Sequence, residues 1–242
     1  MTVPLWILAL AVALGFAGGF VQGVVGFGMG VLAVPILALA DPALVPVSTI
    51  LAGAGLPVMS LLYERHHLDK SALGWVLLGQ TPATALGVLL VATLPLGMLK
   101  AVIAVMVLVM VLLSVVRVTV PLNATTLTSA GVLAGISGTA AGIGGPPVAI
   151  VMADMKPAAV RATLAATFLV GTAVSLAGLA VGGVVRTDAL IVGAAMLPST
   201  LLGMAFARRA RNHLTPKGFR IGMLSLSTAS ATILLANALF GA

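Results

Sequence analysis

No charged side chain occurs before Asp41, and the apolar tract from Val3 to Ala40 is interrupted only by glycine, proline and the single polar Gln22. As one straight helix those residues would run about 57 Å, against a hydrocarbon core of about 30 Å. One crossing cannot hold them. The middle of the tract carries Gly23, Gly26, Phe27, Gly28, Met29 and Gly30, where glycine weakens a helix and permits the positive φ of a sharp turn. A break is expected there, and the arm after it, Gly30 to Ala40, would reach only about 16 Å, roughly half the core. The tract therefore reads as a re-entrant hairpin.

Composition generalises this. The chain is 61% hydrophobic and 7% charged over 242 residues, with a mean hydropathy of +1.25, and it cannot cover a water-facing surface. That excludes a soluble enzyme. A β-barrel would need short segments of alternating polarity, which the Ala, Leu, Val and Gly tracts lack. The expected class is an all-α polytopic membrane protein, with room for about six to eight crossings. Twelve Lys and Arg against five Asp and Glu leave a net charge of +7. The basic residues sit in short loops with little aromatic interleaving, which fits cytoplasmic anchoring and not nucleic acid. There is no cysteine, so disulfides, thiolate catalysis and Cys-ligated metals are excluded. Lacking a basic n-region, the start reads as mature structure.

Polar punctuation at Asp41-Pro42, Tyr63 to Lys70, Leu94 to Lys100, Arg117 to Thr126, Asp154 to Arg161, Arg186 to Asp188 and Arg208 to Arg220 marks eight tracts. A shift of 116 carries Gly19, Gly26 and Gly28 onto Gly135, Gly142 and Gly144, and Pro82 and Leu86-Gly87 onto Pro198 and Leu202-Gly203. A shift of 115 carries Pro42, Val45 and Ser48 onto Pro157, Val160 and Thr163. Matched positions keep their order and gaps fall in loops, so the chain reads as two membrane repeats, 1–120 and 121–242. The second hairpin then has Leu127 to Ala141 as long arm, Gly142 to Gly145 as turn and Pro146 to Ala153 as short arm.

Charge sidedness tests the hairpins, because a hairpin returns the chain to its starting face. Eight full crossings divide the basic residues eight to four. Two hairpins and six crossings instead put ten on one face (Arg65, Lys70, Arg117, Lys156, Arg161, Arg208, Arg209, Arg211, Lys217, Arg220) and leave Lys100 and Arg186 on the other. The hairpin arrangement separates charge better. With three crossings per half the repeats are inverted, each a four-segment unit of one Gly-rich broken hairpin and three spanning helices, and both termini lie outside.

In inverted-repeat carriers the broken elements meet near the midplane and form the substrate site. Each turn starts a half-helix whose free N–H groups and positive dipole end attract an anion. An anionic substrate is expected. Pro146 and Pro147 lack N–H groups, so the second turn can donate only from residues such as Gly144, Gly145 and Val148. Gly19, Gly23, Gly135 and Gly138 read as close helix packing, and Gly26, Gly28, Gly142 and Gly144 as the turns. The few polar side chains inside the tracts are Gln22, Ser48, Thr49, Gln80, Thr81, Ser137, Thr139, Thr163, Thr167 and Ser199, each able either to line a pathway or to bond helix to helix. Arg161 either snorkels to the cytoplasmic surface or is the best cation for an oxyanion. The candidate substrate-binding set is Gln22, Gly26, Phe27, Gly28, Gly30, Ser48, Thr49, Ser137, Gly142, Gly144, Gly145, Arg161 and Thr163.

All five acids fall near tract ends, which weakens the case for a carboxylate proton relay; Asp41 and Asp154, closing the two hairpins, are the ones to test. His66, His67 and His213 lie in basic loops and read as solvated, with no metal site and no cofactor expected. Gly135-Ile136-Ser137-Gly138 matches a GxSG protease pattern, but no histidine lies in an apolar tract and the general base is missing. A passive anion channel stays open beside a carrier.

These residues resemble the TauE/SafE family of sulfite and organosulfur-anion transporters, over nearly the whole chain. The likeness rests on Gly19, Gly23, Gly26-Phe27-Gly28-Met29-Gly30 and Val34-Pro35-Ile36-Leu37. The second copy is more specific: Gly135-Ile136-Ser137-Gly138, Gly142-Ile143-Gly144-Gly145-Pro146-Pro147-Val148 and Arg161-Ala162-Thr163-Leu164. Met29 interrupts the family's usual glycine run in the first copy. The resemblance implies an integral protein of a bacterial plasma membrane that exports or imports a small sulfur oxyanion such as sulfite, sulfoacetate or another sulfonate, coupled to H+ or Na+. Lipid and the anion are the implied partners, with a homo-oligomer left open. Composition and spacing say nothing of the sulfur chemistry.

A single cysteine placed at Ala40 should be labelled by an impermeant reagent from the same face as the amino terminus. Labelling from the opposite face would remove the first hairpin.

Overall fold

The computed structural model describes residues 3–115, 120–210 and 216–240. Arg117, Arg211 and His213, the side chain of Lys217 and both chain ends lie outside the described residues, so the parts of the charge and topology readings that fall on them do too. Every element described is helical: α1 Leu5–Val25, α2 Met29–Ala40, α3 Val47–Gly53, α4 Gly55–Glu64, α5 Lys70–Thr93, α6 Leu96–Val115, α7 Ala124–Ala141, α8 Gly145–Val151, α9 Pro157–Val181, α10 Thr187–Ala210 and α11 Pro216–Phe240.

Among the described residues seven segments are long and apolar enough to cross a membrane: Leu5–Val25, Val47–His67, Lys70–Thr93, Leu96–Val115, Pro157–Val181, Thr187–Ala210 and Arg220–Phe240. Six of them correspond to the three crossings expected per half; the seventh, α1, expected as the long arm of a hairpin, is itself long and apolar enough to cross. Helix α7 matches it in place and nearly in length at 18 residues, but its Thr, Ser and Gly make it less apolar. The short arms α2 and α8, at 12 and 7 residues, reach only about 18 Å and about 10 Å.

The helix ends follow local chemistry. Helix α1 stops where Gly26 takes φ +97°, and Gly28 at φ +125° precedes α2; no L side chain adopts either value easily. Helix α7 starts from a capping box in which Asn123 and Thr126 satisfy each other's backbone N–H, and it stops at Gly142 with φ +67°. The Asp69 carboxylate caps α5 by accepting from Ala72 N–H at 2.9 Å. One break escapes the tract reading: α3 and α4 are separated at Ala54. Pro57 has no N–H for the carbonyl of Gly53, so the regular ladder lapses there.

Two helix pairs dominate the packing, α1 against α10 and α5 against α7. Their seams are lined with small residues. A Cβ on Gly19 would land on the Thr200 carbonyl oxygen, one on Gly203 on that of Phe16, and one on Gly131 on that of Val76. In lipid, where burial of apolar surface gives no preference for helix over tail, such backbone-to-backbone approach is the main source of attraction between helices. Gly23 and Gly135 sit in the same seams, as expected, with a Cβ meeting Ala207 Cβ at 2.6 Å in the first case and the Gln80 carbonyl in the second. Gly138 does not: its nearest neighbour would be Gly144 Cα at 3.6 Å, an ordinary contact that leaves open space beside it.

Helix α2 lies inside the bundle among α1, α3, α6 and α11, and α8 among α6, α7 and α9. Val31, Val34, Leu37 and Ala38 on α2 are all but inaccessible, as suits a helix apolar all round. The outward faces of α5, α6, α10 and α11 expose Leu78, Leu112, Leu202, Phe206 and Ile233, a surface suited to lipid.

Gly19→Ala should destabilise the protein by about 1–3 kcal/mol, since a backbone carbonyl must move to admit the methyl group. Gly74→Ala, with nothing within 4 Å of the new Cβ, should be neutral or stabilising by about 1 kcal/mol. Unfolding in mixed micelles compares the two; equal effects would mean that the glycine seam does not hold α1 to α10.

Candidate functional site

The two breaks touch. A Cβ on Gly30, in the first turn of α2, would strike the carbonyl oxygen of Gly142, which ends α7; one on Gly145 would lie 3.0 Å from Phe27 Cβ. A cavity of about 90 Å³ opens beside this contact. From the first break Gln22, Phe27, Gly28, Met29, Gly30 and Val31 line it, and from the second Gly142, Ile143, Gly144, Gly145 and Pro146. Among the described residues no charged side chain lines it.

The breaks contribute different groups. On α2 the first intrahelical bond of the new helix runs from Leu32 N–H to Gly28 O at 3.0 Å. The N–H groups of Gly30 and Val31 precede it and lack helical acceptors. Met29 N–H is taken by Gln22 Oε1 at 3.3 Å, which ties the end of α1 to the start of α2. On the other side α8 has only seven residues, two of the first three being prolines. It therefore offers little dipole and few donors, and the second break supplies mainly shape. Ser137 braces it: its hydroxyl lies 2.7 Å from the carbonyl oxygens of both Leu133 and Ile143, and its one proton serves one of them at a time.

Of the other side chains singled out from the sequence, Thr49 lines the cavity, donates to Pro46 O at 2.9 Å, and has its Oγ1 where a Cβ on Gly142 would approach to 2.8 Å. Ser48 is fully buried with no partner for its Oγ and lies outside the lining, next to α10 at Gly193. Thr163 is fully buried and accepts from Asp69 N–H at 3.2 Å, joining α9 to the start of α5. Asp41 caps the turn after α2 through Ala43 N–H at 2.9 Å, and Asp154 is exposed.

Gly26 and Arg161 face a smaller pocket of about 30 Å³, which Gln22 also lines together with Glu64, Ser60, Arg208, Pro57 and Phe168. Arg161 does not simply snorkel. Its Nε lies 2.8 Å from each Glu64 carboxylate oxygen, and the two side chains are 24% and 18% exposed.

Of the lining positions beyond the sequence candidates, four share α9: Phe168, Gly171, Thr172 and Ser175. With Arg161 and Ala165 they fall at spacings of four and three residues, one face of a helix. That spacing is legible in the chain, but an Ala-rich helix offers many such stripes. Gln80, among the polar candidates, is buried in the wall. Its Nε2 donates to Thr167 O at 3.4 Å while Oε1 has no donor. Since a carbonyl can only accept, the amide orientation follows.

Among the described residues no group of three or more His, Asp or Glu could hold a metal ion. The family model for the sulfite exporter TauE/SafE matches residues 11–234, nearly the whole chain. No curated protein and no solved structure matches. The chain belongs to the TauE/SafE family, whose members are membrane transporters and not enzymes.

Proposed function

As a TauE/SafE member the chain is, we propose, a secondary transporter of a bacterial plasma membrane that binds a small sulfur-containing oxyanion, such as sulfite or an organosulfonate, between its two helix breaks. The observation that carries the reading is the contact of Gly30 with the Gly142 carbonyl beside a small uncharged cavity. There the unpaired N–H groups of Gly30 and Val31, at the positive end of the 12-residue α2, supply donors to a negative ligand. Dipoles without a fixed countercharge hold an anion while letting it leave, which a carrier needs. The Oε1 of Gln80 adds an acceptor lacking a donor, and leaving such a group unmet costs about 1–3 kcal/mol. An anion that also carries a hydroxyl or amine proton suits it best.

The same reading makes the halves inverted repeats and the two short arms re-entrant. Support comes from packing that exchanges equivalent partners: α1 lies on α10 as α7 lies on α5, and α2 on α11 as α8 lies on α6. An alternating motion of one half against the other would open the cavity to either face in turn.

Gly144→Leu is the cleaner test, because Gly144 at φ −106° adds no backbone strain, a Cβ there meeting the Ala134 carbonyl oxygen at 3.0 Å, whereas Gly28 at φ +125° would add strain. In proteoliposomes the wild type should show saturable sulfite counterflow, driven by H+ or Na+ when each gradient is imposed in turn. Gly144→Leu should lose at least about 90% of it while inserting normally, since the leucine fills the site. Normal flux in the inserted variant would remove the cavity from the pathway, and unsaturable flux without counterflow would make the protein a channel.

A further inference from the structure

We propose that the small pocket around Arg161 is a second, outer binding site for the transported oxyanion, in which the Glu64 carboxylate occupies Arg161 until the anion displaces it. This rests on the central cavity being the transport site and adds its entrance.

Two walls run from one space to the other. On α9, Arg161 and Ala165 line the small pocket, Phe168 lines both, and Thr172 and Ser175 line the central cavity. On the opposite wall, read in reverse, Glu64 and Ser60 line the small pocket, Pro57 both, and Gly53 and Thr49 the central cavity. Both series follow helical spacing, the first along one face of α9 and the second along α4 and then α3 across the break at Ala54. Gln22, Pro57 and Phe168 are shared and form the neck between the spaces. The Arg161–Glu64 pair spans the walls just outside that neck.

The chemistry of the pocket suits an oxyanion. Arg161 uses only Nε toward Glu64, and among the described residues no acceptor takes its four terminal N–H donors. Arg208 is held in place by lying 3.4 Å over the Tyr63 ring and donating to Met59 O at 3.4 Å. Two guanidinium groups against one carboxylate leave a net positive charge. A carboxylate and a sulfur oxyanion present similar paired oxygens to a guanidinium fork, so the ligand can take the place of Glu64. Both partners of the pair are reachable from water, and the exchange replaces one charge-assisted bond by another. The charged pair is not repeated in the other half: a shift of 115 puts Pro46 and Leu179 in place of Arg161 and Glu64. Selection for negative charge would therefore act at one face only, the basic one.

The test measures sulfite uptake into everted vesicles, which present the basic face outward, and into right-side-out vesicles. Glu64→Gln removes the competitor and should lower KM about three- to tenfold in everted vesicles alone. Arg161→Gln should raise it about tenfold there. Opposite changes at the two ends of one ion pair are what a displaced competitor produces. A purely structural tie between α4 and α9 would shift both variants in the same direction or leave KM unchanged, and either result overturns the proposal. If Glu64→Gln does not insert, Arg208→Gln serves in its place, with a raised KM supporting the outer site and an unchanged one overturning it. Gly144→Leu separates the two readings: detergent-solubilised protein should still bind sulfite weakly, and that binding should vanish on adding Arg161→Gln. Normal transport by Gly144→Leu would defeat the central cavity on its own account, while persistent binding in the Gly144→Leu/Arg161→Gln double variant would defeat the outer site alone.

Discussion

A peptide group without a hydrogen bond is tolerated at membrane depth only where protein or a watery cavity surrounds it. Much of this architecture follows from that. Interrupting α1 at Gly26 and α7 at Gly142 frees backbone groups in mid-bundle, and α2 and α8, which follow, are packed among neighbouring helices. Some freed groups find internal partners: Gln22 accepts from Met29 N–H, and the Ser137 hydroxyl reaches the Ile143 carbonyl. The N–H groups of Gly30 and Val31 have no helical acceptor, and both residues line the cavity.

What brings the breaks together is the pair of glycine seams. Gly19 and Gly23 on α1 press against α10, and Gly131 and Gly135 on α7 press against α5. Each seam fixes the height of one long arm, and so the depth of the turn at its end. Gly30 then meets the Gly142 carbonyl with no room for a methyl group between them. An error of one helical step in either seam would separate the turns by several Å and merge the cavity with the surrounding packing. Backbone contact gives a sharper distance dependence than interdigitating side chains, which is a reason for small residues to hold this geometry.

The parts legible in the sequence are those that act locally. Glycine at positive φ is a property of one residue, so the breaks near Gly26–Gly28 and Gly142 could be placed within about a residue, and the six long crossings followed from apolar length. The interruption between α3 and α4 was also written, as Gly53, Gly55 and Pro57, but one proline within an apolar tract is common enough to be passed over. What could not be read were pairings across the fold. Arg161 and Glu64 stand 97 positions apart, and nothing at either site points to the other. Ser48 and Thr163 matched under the repeat, yet neither faces the cavity, because matched sequence positions fix the helix and its register but not which neighbour fills the space beside it. Gly138 differs from Gly135 only in standing opposite a turn where Gly135 stands opposite a helix.

In the proposed repeat the two halves differ, which bears on how such a scaffold would carry a directional task. Helix α2 is long enough to have a dipole and begins with free N–H groups, whereas α8 is about two turns long and has prolines at its second and third positions. The first break can thus hold the ligand while the second shapes the wall, with the Gly142 carbonyl setting the spacing between them. Among the described residues the charged side chains that line the two spaces, Glu64, Arg161 and Arg208, cluster at one mouth. Two identical halves would expose equivalent surroundings at both faces in the two states of an alternating cycle. Here the neck of Gln22, Pro57 and Phe168 leads to guanidinium groups on one side, while the hydroxyls of Thr172 and Ser175 lie on the other side of it. A field of fixed charge reaching only one entrance changes the rate of anion arrival there, but the overall equilibrium across the membrane is set by the driving gradients alone. The departure from symmetry therefore acts on the kinetics of loading at each face.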